Sequence, residues 1–162
     1  MTELLRKIIT PTHLAYRIPA GVVTDRYLRA LAEKRIEGLQ CSGCDKVYVP
    51  PRRICPVCSL RMESAVEVEH TGIVTTFCVV NVPFEGQLLT PPYACAHILL
   101  DGADLPLFHL IDGCDVAEVR MGMRVRAMWA PDEERAADYD AIRYFTPTGG
   151  PDAPYASFKD HV

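Results

Sequence analysis

Four cysteines fall in two close pairs, Cys41-x2-Cys44 and Cys55-x2-Cys58, with ten residues between them. Thiolate sulfur is a strong ligand for zinc. A Cys-x2-Cys turn brings two sulfurs to one ion while backbone N–H groups point at them, and two such turns complete a tetrahedron. Iron of the rubredoxin type takes the same ligands, so the spacing leaves both metals open. Four protein sulfurs leave no position for water, and the role expected is structural. Only Val47, Tyr48, Val49 and Ile54 lie between the pairs to be buried. Metal ligation, which contributes on the order of 10 kcal/mol in small metal-dependent folds, is what such a segment needs. The cysteine total of seven is odd, and the pairing points to metal in a reducing compartment rather than to disulfides.

Other groups could in principle do chemistry. Cys95 and His97 share one face of a strand, with Cys78, His109, Asp112 and Cys114 elsewhere in the same half of the chain. A nucleophile needs its base within hydrogen-bond reach, whereas neighbours on one strand face stand about 6.5 to 7 Å apart. These residues are therefore read as locally satisfied structural groups, no residue is given a catalytic role, and the chain is not expected to be an enzyme by itself. Arg52 and Arg53 follow Pro50-Pro51 on a stiffened loop and are expected to face outward. Residues 34–61 hold six basic and two acidic groups. A metal with four thiolates carries a formal charge of −2, so this excess either compensates the site or binds an anionic ligand.

The elements that must position these groups follow from periodicity. Tyr27, Leu28 and Leu31 mark one face of a helix from Thr24, as N-cap, to a stop at Gly38; residues before Gly21 read as an extended arm. Past the cysteines the period becomes strand-like. Val66 and Val68 open a first long strand continuing through Ile73 to Val80, with Gly72 expected to mark a bulge. Further strands are expected at Tyr93–Leu100, Leu105–Ile111, Arg124–Trp129 and Ala141–Thr146, the first two joined at Asp101-Gly102. Five short strands suit a small closed barrel of the OB type. The expected fold is thus mainly β, organised as an arm and helix (1–37), a four-cysteine zinc ribbon (38–62), a five-stranded OB barrel (63–146) and an irregular tail (147–162). No run approaches the ~18 apolar residues that span a bilayer. Met1–Ile9, interrupted by Glu3, Arg6 and Lys7, has no signal-peptide core, and a cytoplasmic location is expected.

Charge separates the remaining function classes. Residues 1–65 hold 11 basic and 6 acidic groups, whereas residues 66–145 hold 5 and 13 and contain no lysine. A single-stranded nucleic-acid module needs a basic groove with aromatic platforms; a barrel with a net charge of −8 repels phosphates, and Phe77, Phe108 and Trp129 are read as core. Binding a protein partner asks only for surface. The loop Val82 to Leu89 carries Phe84, and the chain end carries Tyr155 and Phe158 among Gly and Pro. Phe84, Tyr155 and Phe158 are candidates for docking, the alternative being that the tail folds back over its own barrel.

These stretches together resemble a known family, the acyl-CoA-associated OB-fold proteins with an N-terminal rubredoxin-like zinc ribbon, once filed as a domain of unknown function. The resemblance lies in Gly38-Leu39-Gln40-Cys41 with Cys44, in Val49-Pro50-Pro51-Arg52 and in Cys55-Pro56-Val57-Cys58. It continues in Thr71-Gly72-Ile73-Val74, Pro91-Pro92-Tyr93-Ala94 and Met121-Gly122-Met123-Arg124-Val125, spanning about residues 21–130. One departure concerns the knuckles, which often place Gly after the second Cys where φ is positive; Asp45 and Ser59 stand there. The resemblance implies a non-catalytic accessory subunit of an acyl-CoA-processing hetero-oligomer. Its partner would be a thiolase-superfamily enzyme, such as a lipid-transfer-type thiolase or a retro-aldolase of steroid side-chain degradation. A CoA thioester would be the shared ligand, with Arg52 and Arg53 on its phosphates. A MaoC-like hydratase complex, a solitary CoA-ester carrier and a nucleic-acid zinc-ribbon/OB module are the alternatives.

Overall fold

The structure, a computed structural model, describes residues 17–162; the arm up to Tyr16 lies outside them. The amphipathic stretch forms helix α1, Gly21–Ala32, which buries Tyr27, Ala30 and Leu31. The expected bounds are corrected at both ends. Thr24 lies inside the helix, and no side chain caps its start at Ala20. The stop is Lys34, at φ 62°: its N–H donates to Leu31 O (2.9 Å) and the Arg35 N–H to Ala30 O (2.8 Å). Those two bonds are the Schellman closure, here made with a lysine in the left-handed region where glycine is usual.

Gly38 instead sits in the middle of strand β1, Ile36–Gln40. A Cβ there would come within 2.8 Å of Val47 Cγ1 and 2.9 Å of Val49 Cγ2, so the glycine permits close packing and terminates nothing. Strand β1 lies between β2 (Val47–Tyr48) and β3 (Ser64–Val68) in a three-stranded antiparallel sheet. Val66 and Val68 therefore pair with Gly38 and Ile36 across β1 and do not open the barrel; the chain breaks at Glu69-His70.

Five further strands follow: β4 (Thr71–Val80), β5 (Tyr93–Leu100), β6 (Leu107–Ile111), β7 (Arg124–Trp129) and β8 (Ile142–Pro147). They close a barrel in the order β4-β5-β6-β8-β7, with β6 and β8 parallel at Ile111↔Phe145 and the other pairs antiparallel. This is the five-stranded OB arrangement expected. The bulge in β4 falls between Val74 and Thr76, not at Gly72. Gly72 is needed for another reason, since a Cβ there would meet Leu99 O at 2.5 Å where β4 and β5 approach.

One core joins all three parts. Tyr27 and Leu31 of α1, Ile36, Val47, Val49 and Val68 of the small sheet, and Val74, Ile98, Val125 and Phe145 of the barrel form a single buried cluster. Polar contacts reinforce it. The Val47 N–H donates to Asp104 Oδ2 and the Asp104 N–H to Val47 O, both at 2.8 Å, tying β2 to the loop after β5. Arg135 Nε donates to Ala32 O (2.9 Å), fastening the end of α1 to the segment after β7.

The tail is not irregular throughout. Short 3-10 turns occupy Tyr155–Ser157 and Lys159–His161, and Phe158 between them is only 2% exposed. Arg120 grips Asp152 with two bonds (2.6 and 2.8 Å), the Ala153 N–H donates to Gly122 O (2.8 Å), and Phe158 covers Gly122. Phe158 is thus withdrawn from the docking candidates, because its ring is spent on its own barrel. Truncation to Phe158→Ala should lower unfolding free energy by about 3 kcal/mol, as for other buried aromatic side chains. Urea denaturation measures this, and a change of ~0.5 kcal/mol or less, typical of exposed sites, would contradict the packing of the tail.

Candidate metal centre

Each cysteine pair is set by the same local geometry. In the first, the Asp45 N–H donates to Cys41 O (2.8 Å) and the Cys41 N–H to Lys46 O (3.0 Å). In the second, the Ser59 N–H donates to Cys55 O and the Cys55 N–H to Leu60 O, both at 2.9 Å. The closing residues Asp45 and Ser59 have φ of 58° and 57°, the left-handed turn a knuckle requires. Replacement of the usual glycine therefore leaves the turn intact, at the modest strain that a small polar residue bears there. Backbone N–H groups of Gly43 and Cys58 donate to Cys41 Sγ and Cys55 Sγ at 3.4 Å. Gly43 also allows the two knuckles to meet, since a Cβ would lie 2.7 Å from Leu60 Cδ1 and 3.4 Å from Cys58 Sγ.

All four sulfurs lie within 4.8 Å of one another, and Cys44 Sγ is 3.7 Å from Cys55 Sγ. A zinc tetrahedron with Zn–S bonds of ~2.3 Å has sulfur–sulfur edges of ~3.8 Å. Cys41 and Cys55 are buried, Cys44 and Cys58 half-buried, and they share a small apolar cluster with Leu39, Tyr48 and Met62. Donor type, number and spacing all fit one structural zinc ion.

Electrostatics make the same demand for a cation. Burial would raise the Cys55 thiol, but N–H groups of Cys58 and Val57 and the Tyr48 hydroxyl outweigh it and bring the pKa down to about 6. The Cys44 side chain, then burial and Cys41, push Cys58 up to about 12. At Cys44 the Lys46 backbone N–H favours the thiolate, yet burial and the neighbouring Cys41 and Cys55 thiols leave the pKa raised. Four thiolates cannot all ionise side by side unless a positive ion lies among them. Tyr48, 4% exposed, places its hydroxyl 3.7 Å from Cys55 Sγ, a donor beyond the ligands that the spacing of cysteines does not reveal.

The arginines separate. A cleft of about 630 Å³ runs between α1 and the small sheet, floored by Val23, Tyr27, Leu39 and Met62. Arg53 lines it and Arg52 does not, although both are exposed. Arg26, Arg29, Arg35 and Arg61 also line it, but each is engaged, with Glu37, with Asp25, with Glu33 and Glu37, and with Glu63 respectively. Arg53 has no such ion pair among the described residues. Helix residues of this cleft were not legible as a site, since their charges read as an ordinary solvated face.

Elsewhere the two histidines among the other candidates are engaged locally. His97 Nδ1 lies 3.0 Å from Thr76 Oγ1 and its ring meets Phe108, while His109 Nδ1 accepts the Leu110 N–H. Phe84 and Tyr155 are well exposed. Phe77 and Phe108, expected in the core, are 40% and 61% exposed; Phe108 alternates with buried Leu107 and so stands on the outer face of β6. Among the described residues no helix is long and apolar enough to cross a membrane.

A four-cysteine ribbon whose sheet packs directly on an OB barrel defines a narrow class of proteins. Two family models cover it in sequence: the rubredoxin-like zinc ribbon domain of ChsH2 matches residues 29–63, and the C-terminal OB-fold domain of ChsH2 matches residues 65–130. A DUF35 domain-containing scaffold protein of Methanocaldococcus jannaschii is 31% identical over 102 residues, covering 62% of this chain and 72% of that protein. The chain belongs to this DUF35 family of ChsH2-type ribbon and OB-fold proteins. Among solved structures, the Ltp2-ChsH2(DUF35) aldolase superposes with a TM-score of 0.58 at 24% identity, over 75% of this chain and 91% of that one. A DUF35 protein of unknown function from Sulfolobus solfataricus gives 0.60 at 20% identity, over 78% and 86%. At these identities both describe the fold.

Removal of the Tyr48 hydroxyl should loosen the metal without unfolding the chain. Tyr48→Phe is expected to lower zinc affinity about tenfold, the lower end for loss of a ligand's outer hydrogen-bond partner. Competition with a chromogenic chelator measures it, and unchanged affinity at an unchanged circular dichroism spectrum would exclude the bond's role.

Proposed function

We propose that the protein is a non-catalytic accessory subunit of an acyl-CoA-processing complex, and that its partner is a thiolase-superfamily enzyme. The observation that carries this reading is the relative at 31% identity, a protein described as a scaffold. The fold match to the DUF35 chain of an aldolase assembly agrees with it. The resemblance read in the sequence extends the proposal to a partner of the lipid-transfer-type thiolase or retro-aldolase kind, acting on a substrate such as a steroid side chain. The protein's own residues agree with a subunit that assists rather than reacts. In this reading Cys41, Cys44, Cys55 and Cys58 hold one zinc ion in a closed shell that has no place for substrate. The ion orders the ribbon, and no protein group is asked to pass a proton or attack a thioester.

The surface offers two contacts for such a role. The loop of residues 81–92, between β4 and β5, presents Val82, Phe84, Leu88 and Leu89, with Leu88 99% exposed and Glu85 the only charge. Apolar side chains displayed this way on a short loop suit a protein partner, and Tyr155 adds a second aromatic contact. Arg53, which lines the cleft beside α1 and forms no ion pair among the described residues, would meet a CoA phosphate in this reading, with Arg52 next to it in the chain. The complex works in the cytoplasm, where thiolates stay reduced and CoA esters are available.

Affinity purification of the intact chain from its native host, followed by mass spectrometry, tests the assignment. A thiolase-fold enzyme should co-purify in near-stoichiometric amount, and the double substitution Phe84→Asp with Leu88→Asp should reduce its recovery at least about tenfold, as expected when apolar anchors of an interface are replaced by charge. Recovery of the chain alone, or turnover of an acyl-CoA by the chain alone, refutes the accessory role.

A further inference from the structure

Two cysteines outside the ribbon face each other on the barrel. Cys78 on β4 is the direct cross-strand partner of Cys95 on β5. The bulge at Thr75 creates this pairing: an unbroken register from Val74↔Ile98 would place Phe77, not Cys78, opposite Cys95. Thr75 is fully buried and bonds His97 O, so the extra residue is held in place by the core.

Directly opposed residues of an antiparallel pair have Cα atoms about 4.5 or 5.5 Å apart and side chains on one face. Both separations lie within the ~4.4–6.8 Å that a disulfide spans. The next pair along the same face, Thr76 and His97, already touches across the strands at 3.0 Å. Cys78 is exposed and Cys95 half-buried, and neither sulfur has a hydrogen-bond partner among the described residues. Both differ in this from the ribbon cysteines, whose sulfurs are turned inward on one another.

We propose that Cys78 and Cys95 form a redox-responsive pair, which closes into a cross-strand disulfide on exposure to a low-molecular-weight disulfide. The Cys78 thiolate attacks one sulfur of the oxidant, forming a mixed disulfide and releasing one small thiol. The Cys95 thiolate then attacks Cys78 Sγ, forming the protein disulfide and releasing the second small thiol. Two protein thiols are oxidised, one small disulfide is reduced to two thiols, and the two protons leave with them. Cys78 goes first because its sulfur is the accessible one; burial, with the charge of Cys78 added, raises the Cys95 thiol pKa, and the mixed disulfide removes the second of these causes.

The bond would lie two residue pairs from the strand ends at Val80 and Tyr93, where the exposed apolar loop begins. Oxidation therefore staples the base of that loop. This holds whatever the loop binds, so the inference does not rest on the proposed function.

Oxidised glutathione added to the zinc-loaded full chain tests it, read by intact mass and non-reducing peptide mapping. The expected product has lost two hydrogens, retains zinc and yields one cross-linked peptide joining Cys78 to Cys95. Cys95→Ser should stop the reaction at a persistent glutathione adduct on Cys78, with unchanged circular dichroism. A native chain that keeps an adduct on Cys78 without cross-linking, that resists modification at both cysteines, or that links either one to Cys114 or a ribbon cysteine overturns the proposal.

Discussion

Four sulfurs within 4.8 Å of one another, in a segment with few apolar side chains of its own, set the terms for the rest of the molecule. Held as thiols they would crowd; held as thiolates they would repel. A divalent cation at their centre turns that repulsion into four bonds and closes both knuckles at once. The small sheet then becomes rigid enough to serve as a wall. Its inner residues Ile36, Val47, Val49 and Val68 meet α1 on one side and the barrel on the other, so one core runs through all three parts. The acidic barrel and the basic front of the chain are thereby fixed against each other through contacts, not through charge alone.

That arrangement fits the proposed role, in which the chain binds and its partner reacts. The closed sulfur shell has no ligand to exchange, His97 and His109 are engaged in local hydrogen bonds, and the surface displays an apolar loop and an arginine-lined cleft. Such a surface suits the protein partner and the anionic ligand proposed above. The barrel positions the apolar loop, and the ribbon together with α1 forms the cleft that Arg53 lines.

Much of this was legible in the sequence, for definite reasons. Cysteine spacing is a short-range signal that tertiary packing seldom overrides, and the five barrel strands are marked by β-branched runs between turn residues. Most of the misreadings concern a residue whose role depends on a neighbour elsewhere in the chain. Gly38 looked like a helix stop, but its reason is the side chains of Val47 and Val49 across the sheet. Lys34 ends the helix in a conformation that gives no compositional sign. Gly72 drew attention as a bulge because glycine is conspicuous, while the actual extra residue, Thr75, resembles any strand residue. Phe158 looked available among Gly and Pro until Asp152, 32 residues from Arg120, was seen to pin the tail. Tyr48 read only as apolar filling between the knuckles, and its hydroxyl on Cys55 emerged from the folded geometry.

Metal ligation orders the ribbon on which helix and barrel rest, and amide hydrogen exchange on the intact chain, with zinc bound and again after anaerobic chelation, reads this out strand by strand. Protection should collapse across both knuckles and strands β1 to β3 once zinc is gone, while the inner barrel amides around Val74, Ile98 and Val125 exchange slowly in both states. Protection at Cys41 to Cys58 that survives complete removal of the metal would contradict it.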